Sequence, residues 1–198
     1  MPFLAIYTYP MPAPKEVEIK FRLGDIPSIT RKLKQAKFRL VTRRTHEQNT
    51  LYDLEGNPLR QRGEILRLRK YGSDWELTHK SKGKNNAGKH KTRIENQTKV
   101  ADGPQMEAII LALGYKSLFR YEKFRATWSD GQGVVVLDET PIGNFGEIEG
   151  PARWIDRTAR LLGIAPSGYI TKSYGELFLE WKEQHQSPAE HMTFRDIR

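Results

Sequence analysis

The stretch Glu16-Val17-Glu18-Ile19-Lys20-Phe21-Arg22-Leu23 decides how the chain is read. Val17, Ile19, Phe21 and Leu23 alternate with four charged residues, a period of two that predicts a strand with one apolar and one charged face. On a lone strand the charged face simply points to water. Here the pattern recurs: Arg67/Arg69, Lys80/Lys82, Arg93/Glu95, Lys123/Arg125 and Glu147/Glu149 each stand two apart, and their other faces are mostly Val, Ile, Leu or Phe.

Working outward, Gly24-Asp25 ends the first strand and a helix is expected from Pro27 to Lys37, with Ile29 and Leu33 inward. Further strands are expected at Phe38–Arg44, Thr50–Leu54, Glu64–Tyr71, Trp75–Lys82, Lys91–Val100, Tyr115–Trp128, Val134–Leu137 and Phe145–Glu149. The Glu55-Gly56-Asn57-Pro58 and Gly72-Ser73-Asp74 segments read as turns. Pro104–Leu113 reads as a helix stopped by Gly114, and two more helices are expected at Ala152–Leu162 and Ser173–Gln184. Short links favour antiparallel pairing, and about eight such strands with interspersed helices give an α+β fold, an antiparallel β-barrel with helices packed outside. Helices exist to cover apolar faces, so the charged faces must line the lumen.

Composition agrees with this and narrows the partners. The chain has 198 residues, 33 Lys and Arg against 24 Asp and Glu, and a formal charge of +9. Four Trp and eight Phe argue against global disorder, and the absence of Cys excludes disulfides, thiolate zinc sites and cysteine nucleophiles. The longest apolar run, Ala108–Leu113, is far short of the ~20 residues a membrane span needs. Met1–Pro10 lacks the basic start and apolar core of a signal peptide, so a cytoplasmic location is expected. The positive charge calls for an anionic partner: nucleic acid, polyphosphate, nucleotide or a membrane surface.

A lumen mixing Arg and Lys with Glu fits one of these best. A triphosphate is neutralised by Arg forks and Lys point charges, whereas carboxylates in the same space repel it unless a divalent cation stands between. Glu16 and Glu18 facing Glu147 and Glu149 therefore read as a site for Mg²⁺ or Mn²⁺, and the basic residues as a phosphate cradle.

The ordered motifs resemble a known family. Glu16-Val17-Glu18-Ile19-Lys20 matches the ExExK signature of the CYTH superfamily, the triphosphate tunnel metalloenzymes. Leu66-Arg67-Leu68-Arg69, Leu77-Thr78-His79-Lys80, Thr92-Arg93-Ile94-Glu95, Lys123-Phe124-Arg125, Leu137-Asp138-Glu139 and Gly143–Glu149 resemble its later strands, in family order. The resemblance covers about residues 15 to 180 and implies an eight-stranded tunnel, a divalent cation and a triphosphate substrate. It is nearest to the class IV adenylate cyclase branch, which makes cyclic AMP and pyrophosphate from ATP; other branches hydrolyse tripolyphosphate or thiamine triphosphate. It assigns catalysis to Glu16, Glu18 and Lys20, triphosphate binding to Lys20, Arg67, Arg69, Lys80, Arg93, Lys123 and Arg125, and metal to Glu16, Glu18, Asp138, Glu147 and Glu149. Glu95 is expected to buffer the basic cluster or approach a second metal. The tunnel domain is expected over residues 15–184, between an arm (1–14, with an edge strand at Phe3–Tyr9) and a frayed polar tail (185–198). The cyclase branch also suggests a homodimer.

Other signals are set aside. Gly83–His90 nearly matches the P-loop but ends in His90 where a hydroxyl is needed, and strand-like alternation follows it; a basic loop at the tunnel mouth is the better reading. The five His show no ligand spacing, and His79 should point outward. Ser173 reads as a helix N-cap, with Lys172 reaching the tunnel as the lesser option. A specific nucleic-acid binder is disfavoured because acids alternate with the bases and aromatics are not interleaved for stacking. No membrane partner is expected. A non-catalytic polyphosphate-binding module is the remaining rival, against which the retained carboxylates argue.

Overall fold

The structure, a computed structural model, describes residues 15–82 and 90–197. In chain order the elements are β1 (Lys15–Arg22), α1 (Ile26–Gln35), β2 (Arg39–Asp53), α2 (Pro58–Arg62), β3 (Ile65–Tyr71), β4 (Asp74–Lys82), β5 (Lys91–Val100), α3 (Gly103–Ala112), β6 (Lys116–Ser129), β7 (Val134–Thr140), β8 (Gly143–Glu149), α4 (Ala152–Leu162) and α5 (Tyr174–Gln184). The eight strands close into an antiparallel barrel ordered β1-β5-β4-β3-β2-β6-β7-β8. The expected edge strand at Phe3–Tyr9 and most of the P-loop-like segment lie outside the described residues.

Register sets the barrel's two faces. Glu18 lies opposite Glu149 and Lys20 opposite Glu147 across β1 and β8, while Glu16 faces Arg93 across β5. Directly opposed residues share a face, so the charges collect in the lumen. The alternate residues point out: Ile19, Phe21, Val135, Leu137 and Ile148 form a buried cluster with Ile29 and Leu33 of α1 and Trp154, Ile155, Ala159 and Leu162 of α4. Each large side chain so buried contributes about 1.5–3 kcal/mol. Gly146 makes room for this layer, because a Cβ there would lie 2.2 Å from the Phe21 ring. A second cluster, of Tyr121, Phe145, Tyr174, Leu177 and Phe178, packs α5 against the barrel, and a third seats Ile110 of α3 on Tyr52 and Leu68.

Three expectations needed correction. Phe38–Arg44 and Thr50–Leu54 fall in one strand, β2 (Arg39–Asp53), whose register against β6 shifts between Leu40 and Thr45 and at Leu51/Tyr52. Its middle, His46–Asn49, is polar on both faces because one of them is the lumen, and that polarity reads as a loop. The segment after the Glu55–Asn57 turn forms the short helix α2, whose first turn is held by buried Asp53: its carboxylate accepts the backbone N–H groups of Leu54, Leu59 and Arg60 at 2.8–3.0 Å. The described tail is docked, not frayed. Met192 is fully buried and exchanges backbone hydrogen bonds with β6, donating to Arg120 O and accepting from Glu122 N, both at 3.0 Å. Phe194 adds a ring contact to Phe124. The tail's few apolar residues are spaced by polar ones, so no periodic signal marks them.

Ser173 caps α5 as expected: its hydroxyl accepts from Glu176 N while the Glu176 carboxylate accepts from Ser173 N at 2.6 Å. Lys172 pairs with Glu180 and does not line the lumen. His79 lies 3.6 Å from Glu64 and is also absent from the lumen wall.

Candidate active site in the barrel lumen

The lumen encloses a cavity of about 330 Å³, and the seven expected phosphate-binding residues, Lys20, Arg67, Arg69, Lys80, Arg93, Lys123 and Arg125, all line it. Glu16, Glu18, Glu147 and Glu149 line it too; Asp138 does not. Strand alternation is sufficient to bring these residues together, since each contributes from the inward face of β1, β3, β4, β5, β6 or β8.

Asp138 stands apart from the rest of the expected metal set. Its side chain, on the inward face of β7, is fully buried beneath the cavity lining and accepts from three donors: Lys123 Nζ at 2.9 Å, Arg125 at 2.6–2.7 Å and the Tyr174 hydroxyl at 2.6 Å. A carboxylate so committed holds cations in place. Glu147 is similarly engaged with Lys20 and Arg125, and Lys20 and Lys123 also lie over the Tyr174 ring, at 4.4 and 4.5 Å from its centroid.

Glu47 is the principal residue that sequence reasoning missed. It is 1% exposed, and its carboxylate sits 3.5 Å from Lys123 and 3.9 Å from both Arg69 and Arg125. Burial alone would raise its pKa, but Lys123, Arg125 and Arg69 outweigh burial and hold the carboxyl well below the usual range. Burial also works to lower Lys20, and Glu147 and Glu18 overcome it, keeping the ammonium charged above its ordinary value. The alternation Lys91-x-Arg93-x-Glu95 could have marked Lys91, which lines the cavity 3.6 Å from Glu18. Burial, with Arg93 and Lys20 nearby, lowers its pKa. Tyr174 had no such signal, because it enters from a helix outside the strand pattern.

The remaining carboxylates gather where β1 meets β8. Lys80 pairs with both Glu16 and Glu95, at 2.8 and 2.9 Å. No cation among the described residues lies within ion-pair distance of Glu149. Its carboxyl is pushed up, to about 7, by burial and by the negative charges of Glu16 and Glu18. The residue is also open to solvent, and water screens part of that repulsion. As the side chains stand, no three acidic or His groups among the described residues converge closely enough to hold a metal. Their chemistry still fits one: Glu16, Glu18 and Glu149 are hard oxygen donors in mutual repulsion, which a divalent cation relieves.

Comparison with known proteins agrees with this geometry. The family model described as "CYTH domain" matches residues 14–160. A protein of Methanocaldococcus jannaschii named "Putative adenylate cyclase" is 25% identical over 173 residues, 82% of this chain and 97% of its own. A Vibrio parahaemolyticus structure described as a "putative adenylate cyclase" superposes with a TM-score of 0.74 at 20% identity, over 84% of this chain and 99% of that one. A Hippeastrum protein, described as a "putative adenylyl cyclase" with a dominant triphosphatase activity, superposes with a TM-score of 0.60 at 19% identity, over 83% and 95% of the two chains. A family model spanning most of the chain, joined to a closed eight-stranded barrel with a charged lumen, settles the kinship: this chain belongs to the CYTH domain family.

Proposed function

We propose that the lumen is the active site of a metal-dependent enzyme acting on triphosphates, with ATP converted to cyclic AMP and pyrophosphate as the first reading. The observation that carries it is the lumen's division of labour. Arg67, Arg69, Arg93, Lys123 and Arg125 face the cavity as a cradle, while Glu16, Glu18 and Glu149 concentrate negative charge where β1 meets β8. The name of the Methanocaldococcus jannaschii relative favours the cyclase branch.

In this reading the cradle binds the triphosphate and orients its α-phosphorus. Mg²⁺ or Mn²⁺ held by Glu16, Glu18 and Glu149 would supply neutralisation of phosphate charge and activation of the attacking hydroxyl. The ribose 3′-hydroxyl gives its proton to solvent as its oxygen forms the new bond to the α-phosphorus, the bond to the α–β bridging oxygen breaks, and pyrophosphate leaves carrying that electron pair. Lys20, kept charged by Glu147, stabilises negative charge developing on the phosphate oxygens. Asp138 and Glu47, buried beneath the cavity lining, hold Lys123 and Arg125 in position.

Hydrolysis of tripolyphosphate or an organic triphosphate is the second reading. It is favoured by a lining dominated by charged side chains, beside which Leu51, Ile65, Tyr121 and Tyr174 supply the larger apolar surfaces, and by the activity stated for the Hippeastrum neighbour. One experiment separates them. Purified protein is given ATP or tripolyphosphate with Mg²⁺ or Mn²⁺, and cyclic AMP, pyrophosphate and orthophosphate are measured. Cyclic AMP with pyrophosphate supports the cyclase, orthophosphate alone supports the hydrolase, and tight binding without turnover overturns both.

A further inference from the structure

The run from Ile26 to His46 carries seven Arg and Lys and no Asp or Glu. It contains α1, which lies beside α4 on the outside of the barrel. Both helices bury their apolar faces in one cluster, and Lys32 Nζ donates to Leu162 O at 2.7 Å across them. Their opposite faces are therefore presented together. Arg31 and Lys34 of α1, Lys37 just beyond it, and Arg153, Arg157 and Arg160 of α4 are all exposed, and none of the six has an ion-pair partner among the described residues. The acids nearby are already engaged: Asp25 caps α1 and accepts from Ser28 N, Asp130 accepts from Trp154 Nε1, and Asp156 lies 2.9 Å from His90. The basic charge of this face is thus not neutralised from within the fold.

Exposed apolar side chains border the same face. Leu40 and Val41, between Arg39 and Arg43, are 45% and 63% exposed, and Leu161 of α4 is 53% exposed. Leu40 pairs with Trp128 across β2 and β6, and Trp128 belongs to the cluster under α1 and α4, so it borders the helical layer. This mixture discriminates between anionic macromolecules. A nucleic-acid backbone would use the cations but gains nothing from Leu40, Val41 or Leu161. Of the aromatic rings packed in the cluster under these helices, Trp128, Trp154 and Phe38 are buried and cannot stack on bases, and Tyr169 is half-buried, which leaves no row of open rings for successive bases. An anionic bilayer uses both kinds of residue, attracting the cations to its headgroups and taking the apolar side chains into the interface.

We propose that the exposed face shared by α1 and α4 docks the protein on an anionic lipid surface, at headgroup depth and without a spanning segment. This departs from the expectation of no membrane partner; no helix among the described residues is long and apolar enough to cross a bilayer. It is independent of the reaction in the lumen, since none of these residues lines that cavity.

The test is co-sedimentation of the full chain at low salt with vesicles of phosphatidylcholine alone or with roughly one quarter phosphatidylserine. Binding is expected only to the anionic vesicles, falling steeply as salt rises. Each cation near such a surface is worth about fivefold in binding, so the triple variant Arg153→Gln, Arg157→Gln, Arg160→Gln should bind about 100-fold more weakly. Leu40→Ser with Val41→Ser should also weaken binding while leaving its salt dependence intact. Circular dichroism checks that both variants fold. No binding to either vesicle, equal binding to both, or undiminished binding by the triple variant overturns the proposal. So does capture of duplex RNA or DNA, lost in the triple variant, by a protein that ignores the vesicles.

Discussion

Replacing Asp138 with Asn tests whether this carboxylate is a buried counter-ion. The side chain is fully buried and answers Lys123, Arg125 and the Tyr174 hydroxyl at once. Asn keeps the shape and an acceptor for the Tyr174 hydroxyl but removes the charge facing two cations. Lys123 has 3% of its side chain exposed and Arg125 16%, so water cannot replace what is lost. Breaking a buried pair by removing one partner costs about 3–5 kcal/mol. For a chain of this size that lowers Tm by about 6–20 °C. Glu139→Gln is the matched control, one residue along β7: its partner Arg44 is 52% exposed, so the loss should stay below about 1 kcal/mol. The assay is urea unfolding at pH 7 without added metal, with Mn²⁺ binding measured separately at low temperature. Asp138→Asn should unfold at much lower urea and bind Mn²⁺ as the wild type does. A stability loss no larger than the control's, or a loss confined to Mn²⁺ binding, would refute the argument and return Asp138 to the metal.

Three further outcomes are expected. Glu149 has its pKa raised on folding, so folding favours its protonated form; stability should fall as pH rises from about 4.5 towards 7, and Mn²⁺ affinity should rise over the same window. Glu149→Gln should flatten both profiles in thermal-shift and titration measurements. Glu47 has the opposite sign: its pKa is depressed, so its contribution is complete above the ordinary carboxylate range and is lost as pH falls below it. Glu47→Gln should be less stable at pH 7 and show a shallower acid limb in denaturation curves collected from neutral to acid pH. Ser173→Ala removes one half of the capping box and should cost about 1 kcal/mol of thermal stability.

The lumen was legible because strand periodicity and chemistry coincide there. Lys20, Arg69 and Glu147 could be placed on inward faces from spacing alone, and seating apolar residues such as Ile19 and Ile148 under helices leaves the charged faces no other side. What spacing cannot give is depth. Asp138 and Glu147 both lie on inward faces, yet only Glu147 reaches the cavity; local strand geometry and the arrival of Tyr174 decide which. Glu47 was illegible for a related reason. It sits in the polar stretch His46–Asn49, where lumen-facing and exposed positions look alike, and the cations that give it meaning come from β3 and β6. The tail's docking rests on Met192 and on backbone bonds to β6, and a single buried Met among polar residues carries no period.

The strand order has a consequence for how the protein is made. β1 lies between β5 and β8, so its second neighbour is the last strand to be synthesised, and the Lys20–Glu147 pair joins residues 127 apart in the chain. Such long-range closure costs loop entropy before any contact rewards it, which slows folding. Until β8 arrives, β1 offers an open hydrogen-bonding edge, and the carboxylates of the two strands are not yet together. Assembly of the carboxylate site and topological closure are therefore one event: a nascent or locally opened chain that lacks the β1–β8 seam has no partly formed site, and on the proposed reading activity should appear in a single late step of refolding.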